Sequence, residues 1–296
     1  MSGAPSVSIV VPARNAAGDI ERLLDALMSL EWPASRLERI VIDDASTDDT
    51  AQRIASRSTI KVIHTTRRIG PYAARNLGVK AATGDWIAFT DADCAPRVDW
   101  LQKLLAEPIP ADSGAIAGEV LALETTTATQ RFIESQGLMK HSVTLPHKAL
   151  PGFSTASVAI RRDVLTRLRG FREDVLYFGD MELSWRMQLE QKARILFRPE
   201  AVVLHRHRRT VGALWSQAVQ HGRGVAFMKR NFGNVYRISL TEQLGRLGGV
   251  ASATGRIAAG GDPDRWLTPG FLSLWYAGML AGYVRGPAWV RTAGPS

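Results

Sequence analysis

Asp91 and Asp93 stand one residue apart at the end of the apolar run "DWIAFTDADC", and Asp43 and Asp44 adjoin at the end of "RIVIDD". Four carboxylates gathered at one place repel each other. A hard divalent ion such as Mg2+ or Mn2+, held by one or two of them and completed by substrate phosphates and water, relieves that repulsion and makes a pyrophosphate site. A lone D-x-D is a weak signal, but its position after a buried strand, with a D-D-x-S upstream, gives it weight. Ser46, Thr47 and Asp48 also read as turn and cap residues for a following helix. The adjacent pair Asp43 and Asp44 exceeds what a turn needs, and an acid at this position commonly binds a ribose or base edge in nucleotide-binding α/β folds.

The elements that deliver these acids alternate regularly. "SVSIVV" precedes "DIERLLDALMSL", "RIVID" precedes "DTAQRIAS", "IKVIHT" precedes "YAARNLGVKAA", and "WIAFTD" precedes "VDWLQKLL". Ile20, Leu23, Leu24 and Leu27 follow the i, i+3, i+4, i+7 spacing of one buried helical face. Strands alternating with helices at this spacing predict an α/β domain with a mainly parallel, doubly wound sheet. Ligands of such sheets bind beyond the carboxyl ends of the strands, where "PARN", "DDASTDDT", "TTRRIGPYAARN" and "DADC" fall. Further strands are expected in "GAIAGEV", "STASVAIRR", "ARILFR" and "AVVLHRH", with helices over "DMELSWRMQLEQ" and "TVGALWSQAVQHGRGVAFMKRNF". The domain is expected to end near residue 235, and residues 236–296 to form a helical, partly hydrophobic extension. In that extension residues 267–284 are eighteen residues without a charge, at the lower edge of the length that spans a bilayer, with Pro269 and three glycines among them. A span, a peripheral contact with the membrane and a buried or dimer-forming helix all stay open.

Composition sets further bounds. At 296 residues and 45% hydrophobic content the chain can bury one large core or two modest ones. The single cysteine, Cys94, excludes an internal disulfide framework and fits a reducing compartment. The N-terminus lacks a basic region and carries a short apolar run, unlike a secretory signal, so a cytoplasmic location is expected. Of the net charge of +9, residues 186–230 contribute +8, from ten Lys or Arg against Glu190 and Glu200. Such a segment suits nucleic acid, anionic lipid or a phosphorylated small molecule, or is merely a solvated face. No nucleic-acid-binding motif accompanies it, and no nucleic acid partner is expected.

Together "SIVVPARN", "VIDDASTDDT", "ARNLGVKAATGDWIAFTDADC", "GFSTASVAIRRDVLTRLRGFRED", "GDMELSWRM" and "LHRH" resemble, in order, the family 2 nucleotide-sugar glycosyltransferases of the GT-A fold, over about residues 6–230. The resemblance implies that Pro12, Arg14, Asp43 and Asp44 line the nucleoside pocket, with Asp44 against the base. Asp91 would touch the ribose, or the metal through water. Asp93 and His205 would ligate Mn2+ or Mg2+, with His207 a neighbour. Gly70 lets backbone approach the donor, and Arg75 and Asn76 offer polar contacts, unless Arg75 pairs with one of the acids.

Asp180 matches the general base of the family's E-D pair, although Gly179 replaces the preceding acid. Glu182 is the fallback, placed about 200° around a helix from Asp180. In "QAVQHGRG", Gln220 and Arg223 match the Q-x-x-R-W of processive members, and Gly224 replaces the tryptophan that stacks on a growing chain. This departure implies single-sugar transfer, with Arg223 near the diphosphate or simply at the surface. Ser154, Thr155 and Ala156 fall where the family's acceptor approaches.

The resemblance thus implies inverting, metal-dependent transfer from a nucleotide-diphosphate sugar to a glycan or lipid-linked hydroxyl, peripherally on the cytosolic face of the membrane. A non-catalytic nucleotide-sugar-binding protein is the alternative that the Gly179 change leaves open.

Overall fold

The computed structural model describes residues 3–145, 150–235 and 267–289. The chain runs β1 (Val7–Ala13), α1 (Ile20–Met28), β2 (Leu37–Asp43), α2 (Thr50–Ala55), β3 (Lys61–His64), α3 (Pro71–Ala81), β4 (Trp86–Phe89), β5 (Cys94–Pro96), α4 (Trp100–Leu104) and β6 (Ser113–Ala122). It continues through α5 (Ala128–Ser135), α6 (His141–Thr144), β7 (Val158–Arg161), α7 (Arg162–Arg167), α8 (Gly179–Gln191), β8 (Arg194–His205), α9 (Val211–Asn231) and α10 (Thr268–Arg285). Among the described residues two compact units form: one up to Leu123 together with Met139–Arg206, the other Glu124–Leu138 together with His207–Trp289.

The first unit is built on an eight-stranded mixed sheet of order β3-β2-β1-β4-β7-β6-β8-β5. β3, β2, β1 and β4 are parallel, which is the half that the alternating pattern encodes. The other half is mixed, since β7 runs antiparallel to both β4 and β6, and β5 antiparallel to β8. β1 aligns Pro12 with Ile42 of β2 and Val10 with Phe89 of β4. The carboxyl ends of β2 and β4 therefore flank that of β1, and the two acid pairs follow them. Ile20, Leu23, Leu24 and Leu27 of α1 are all fully buried against Ile9, Val11 and Val41 in the main core. Each such side chain contributes roughly 1.5–3 kcal/mol by leaving water.

"ARILFR" and "AVVLHRH" are one strand, β8, not two. Its pairing with β6 slips between Gly118 and Glu119, where Pro199, Glu200 and Ala201 are accommodated without partners in the ladder. A proline is tolerated in a strand at such an irregularity.

In the second unit α9 and α10 pack tightly. A Cβ at Gly222 would lie 1.9 Å from the Met279 carbonyl oxygen, and one at Gly282 would lie 2.0 Å from that of Val219. Because α9 belongs here, the boundary expected at 235 does not coincide with this division, and residues 236–266 of the expected extension lie outside the described residues. No described helix is long and apolar enough to cross a membrane.

Candidate active site

At the end of β2 the two aspartates are buried and bonded. Asp44 accepts hydrogen bonds from the amides of Ile69 (2.7 Å) and Gly70 (3.0 Å) and from the Thr65 hydroxyl (3.3 Å). Gly70 holds φ +95°, a conformation that side chains resist, and starts α3. Asp44 thus fixes the 65–70 loop with both oxygens, which leaves its carboxylate little capacity for a base edge. Asp43 accepts from the Ser46 amide at 3.3 Å and lies 3.3 Å from His64 Nδ1. Arg14 donates to the Asp44 and Ala45 carbonyls, at 2.6 and 2.8 Å, where Ala45 takes φ +51°.

The segment 46–50 does not cap α2 through Ser46 or Thr47. Ser46 Oγ, Asp48 Oδ2 and Thr50 Oγ1 accept from the amides of Asn15, Ala17 and Ala16, and Asn15 Oδ1 accepts from the Thr47 amide. The polar side chains satisfy the amides of the loop after β1, immediately following Pro12 and Arg14.

After β4, Asp91 pairs with Arg75 at 2.5 Å, so of the two readings of Arg75 the structure shows the ion pair. Asp93 Oδ2 lies 3.6 Å from Nε2 of the buried His205, which is opposite Cys94 in the β5–β8 ladder. The Arg206 amide donates to the Asp93 carbonyl at 3.0 Å and keeps that register. Asp44 and Asp91 are thus compensated by the protein's own donors and by Arg75, Asp43 and Asp93 each face a histidine, and of that pair Asp93 is the more exposed, so the crowding argument for a cation narrows to it. Ligand atoms of Asp91, Asp93 and Cys94 lie within 4.8 Å of one another. Burial, then the charges of Asp93 and Asp91, push the Cys94 thiol well above its ordinary range, and a soft sulfur is in any case ill-matched to a hard cation such as Mg2+ or Mn2+. The donor set that fits a hard cation is carboxylate oxygen with one imidazole, Asp93 with His205. His207 turns to Glu134, 3.1 Å away in the second unit.

Asp180 opens α8. Its Oδ1 accepts from the Met181 amide at 2.9 Å and from the Tyr72 hydroxyl at 3.4 Å. Burial raises its pKa above the usual carboxylate range, against the opposing pull of Arg75. Glu182 is buried and forms a bidentate pair with Arg186, at 2.9 and 3.0 Å, and Arg186 also donates to the Leu168 and Gly170 carbonyls. That commitment removes Glu182 as the fallback base.

Asn76, expected as a polar contact, instead holds the loop after Gly170. Its amide group bonds both the carbonyl and the N–H of Phe171. Ser154 is fixed by the buried His141, whose Nε2 accepts from the Ser154 amide at 2.8 Å. Tyr72 carried no signal of its own in the sequence; only the glycine at 179 marks its place.

The basic segment is largely engaged within its own chain. Arg194 pairs with Asp112, Arg206 with Asp19 and Arg209 with Glu124, and Arg198 donates to the Ala106 and Pro108 carbonyls. Arg223 belongs to the second unit, where it donates to the carbonyls of Gly286 (3.1 Å) and Pro287 (3.4 Å).

The profile of glycosyl transferase family 2 matches residues 8–168. The pre-mycofactocin glycosyltransferase of Mycobacterium tuberculosis is 31% identical over 209 residues, covering 68% of this chain and 43% of that protein. Glycosyltransferase AglE of Haloferax volcanii is 28% identical over 189 residues, covering 62% of this chain and 61% of its own. The chain thus spans less than two thirds of either relative. Among solved structures, a mannosyltransferase of Pyrobaculum calidifontis, in complex with GDP-Man and Mn2+, superposes with a TM-score of 0.65 at 23% identity, over 95% of this chain and 88% of that one. TarS 1–349 of S. aureus in complex with UDP-GlcNAc gives 0.55 at 17% identity, over 98% of each chain. The fold is that of the GT-A glycosyltransferases, and the chain belongs to glycosyl transferase family 2.

Proposed function

We propose that the chain is an inverting, divalent-metal-dependent glycosyltransferase that moves one sugar from a nucleotide-diphosphate sugar to a hydroxyl of a glycan or lipid-linked acceptor. The observation that carries this reading is Asp180: a carboxylate at a helix start, bonded through Oδ1, with Oδ2 accepting no hydrogen bond from the described residues. That oxygen takes the acceptor's proton as the acceptor oxygen attacks the anomeric carbon from the face opposite the leaving diphosphate, which inverts the centre. The latched loops around Pro12, Arg14, Asp43 and Gly70 form the nucleoside end, with Asp44 shaping the wall. Arg75 orients Asp91 toward the ribose. Asp93 and His205 would hold Mn2+ or Mg2+, and a cation bound there stabilises the charge gathering on the departing nucleoside diphosphate.

The Mn2+ and the donors GDP-Man and UDP-GlcNAc named for structural relatives support this choice of ligand class. A peripheral location on the cytosolic face of the membrane fits the apolar α10, where Leu280 and Val284 are exposed.

Release of nucleoside diphosphate from a panel of UDP-, GDP- and dTDP-sugars, with and without Mn2+ or Mg2+, tests the reading. Asp180→Asn is expected to lower kcat about 10²–10⁴-fold while donor binding persists. Because Asp180 must be ionised and burial raises its pKa, kcat/KM is expected to fall as pH drops through a midpoint above the ordinary carboxylate range. Donor binding with no turnover in any acceptor extract would move the chain to the non-catalytic binding protein.

A further inference from the structure

Position 179 has no side chain, and Tyr72 has taken the room. A Cβ built at Gly179 meets Cε2 of Tyr72 at 2.7 Å and two more ring atoms at 2.8 Å. Any larger residue at 179 has to displace the ring. The ring is buried, stacks on Phe171 with centroids 5.7 Å apart, and lies 5.4 Å beneath the Arg75 guanidinium. Three neighbours therefore fix its plane, and from that seat its hydroxyl reaches Asp180 Oδ1 at 3.4 Å. The Met181 amide donates to the same oxygen. Both bonds fall on Oδ1 and none from the described residues on Oδ2.

Resting on the reading of Asp180 as the base, we infer that Tyr72 is its positioning residue: the hydroxyl and the Met181 amide together hold Oδ1 so that Oδ2 faces the acceptor oxygen, and the missing side chain at Gly179 is what admits the ring. Tyr72 moves no proton in the transfer. Burial and the Asp180 charge both keep its own proton in place. The acceptor's proton ends on Oδ2 as the new C–O bond forms and the bond to the diphosphate breaks. The Arg75 guanidinium over the ring pairs with Asp91, so the base and the donor-side carboxylate share one scaffold across α3 and α8.

Tyr72→Phe keeps the packed ring and removes only the hydroxyl. With whichever of GDP-Man and UDP-GlcNAc the wild type consumes, kcat is expected to fall roughly tenfold with donor KM unchanged. Its acid limb moves to higher pH, since a hydrogen bond to the charged form had favoured ionisation. A second measurement needs no substrate: the Asp180 carboxyl titration, followed by 13C NMR in aspartate-labelled protein and assigned by the signal lost in Asp180→Asn. Arg75 and Asp91 face the same carboxyl and stay in place in both proteins, so the rise in midpoint expected in Tyr72→Phe reports the hydroxyl alone.

Gly179→Ala is expected to lower kcat in the wild type and to add little in the Tyr72→Phe background, because the hydroxyl it displaces is already gone. An unchanged midpoint, or full additivity of the two substitutions, overturns the role of Tyr72 while an inactive Asp180→Asn leaves the base intact. Full turnover in Asp180→Asn instead removes the base, and with it the positioning role.

Discussion

At the end of β2, Asp43 and Asp44 are buried, the Asp43 side chain 6% exposed, and their oxygens are bonded by amides and hydroxyls of the neighbouring loops. At the end of β4, the side chains of Asp91 and Asp93 are 28% and 27% exposed, one paired with Arg75 and the other beside His205. Both pairs end a strand at the same edge of one sheet, yet one pair is an internal brace and the other faces outward. The cause is the backbone that each pair meets. The loop after β3 returns to Asp44 with two free amides from Ile69 and Gly70, whereas the segment after Asp93 enters β5 at once and spends its backbone on the ladder with β8. Like-charged neighbours therefore brace the loops in one place and stay half-exposed in the other.

The largest effect that sharpens this contrast is expected from Asp93→Asn. Donor turnover should fall on the order of 10³-fold while the thermal midpoint moves by no more than about a degree; a large loss of stability would make the second pair a brace like the first. Asp44→Ala should do the reverse, costing about 3 kcal/mol in urea unfolding because two amides lose a charged acceptor. A mutant of unchanged stability would show that Asp44 is held for a ligand instead. Excess Mn2+ should raise the thermal midpoint of the wild type by roughly 2–5 °C, an increase lost in Asp93→Asn and kept in Asp43→Asn. The smallest effect is expected from Cys94→Ala, about 1 kcal/mol of packing with the Mn2+ response intact. A lost Mn2+ response there would count the thiol among the ligands.

The parallel half of the sheet was legible because each strand is followed by a helix with a clean apolar face, as in Ile20, Leu23, Leu24 and Leu27. The positions of Asp91, Asp93 and Asp180 were legible for a related reason, since strand ends and helix starts are marked in the local text. What the sequence hid depends on distant partners. Pro199 reads as a break, yet β8 continues past it because β6 tolerates the slip at Gly118 and Glu119. Ser46 and Thr47 read as caps because the loop at residues 15–17, some thirty positions earlier in the chain, is invisible to local pattern; Asp48 does meet the Thr50 amide that opens α2, and its other oxygen serves Ala17. Gly179 read only as a missing acid, since Tyr72 is 108 residues away from Asp180. The assignment of α9 to the second unit likewise rests on Gly222 meeting a helix that begins at Thr268.

That meeting of helices behaves as a key in a lock. Val219 and Gly222 on α9 oppose Gly282 and Met279 on α10, each glycine set against the other helix's carbonyl oxygen. The spacing is three residues on both sides, so the contacts are reciprocal and the two helices run in opposite directions. Cα–H groups of the glycines point at those oxygens, a weak attraction available only where no side chain intervenes. Sliding either helix by one position would put a methyl group or larger where only hydrogen fits. A one-residue slip of the seam is therefore barred by exclusion rather than by the strength of any single contact.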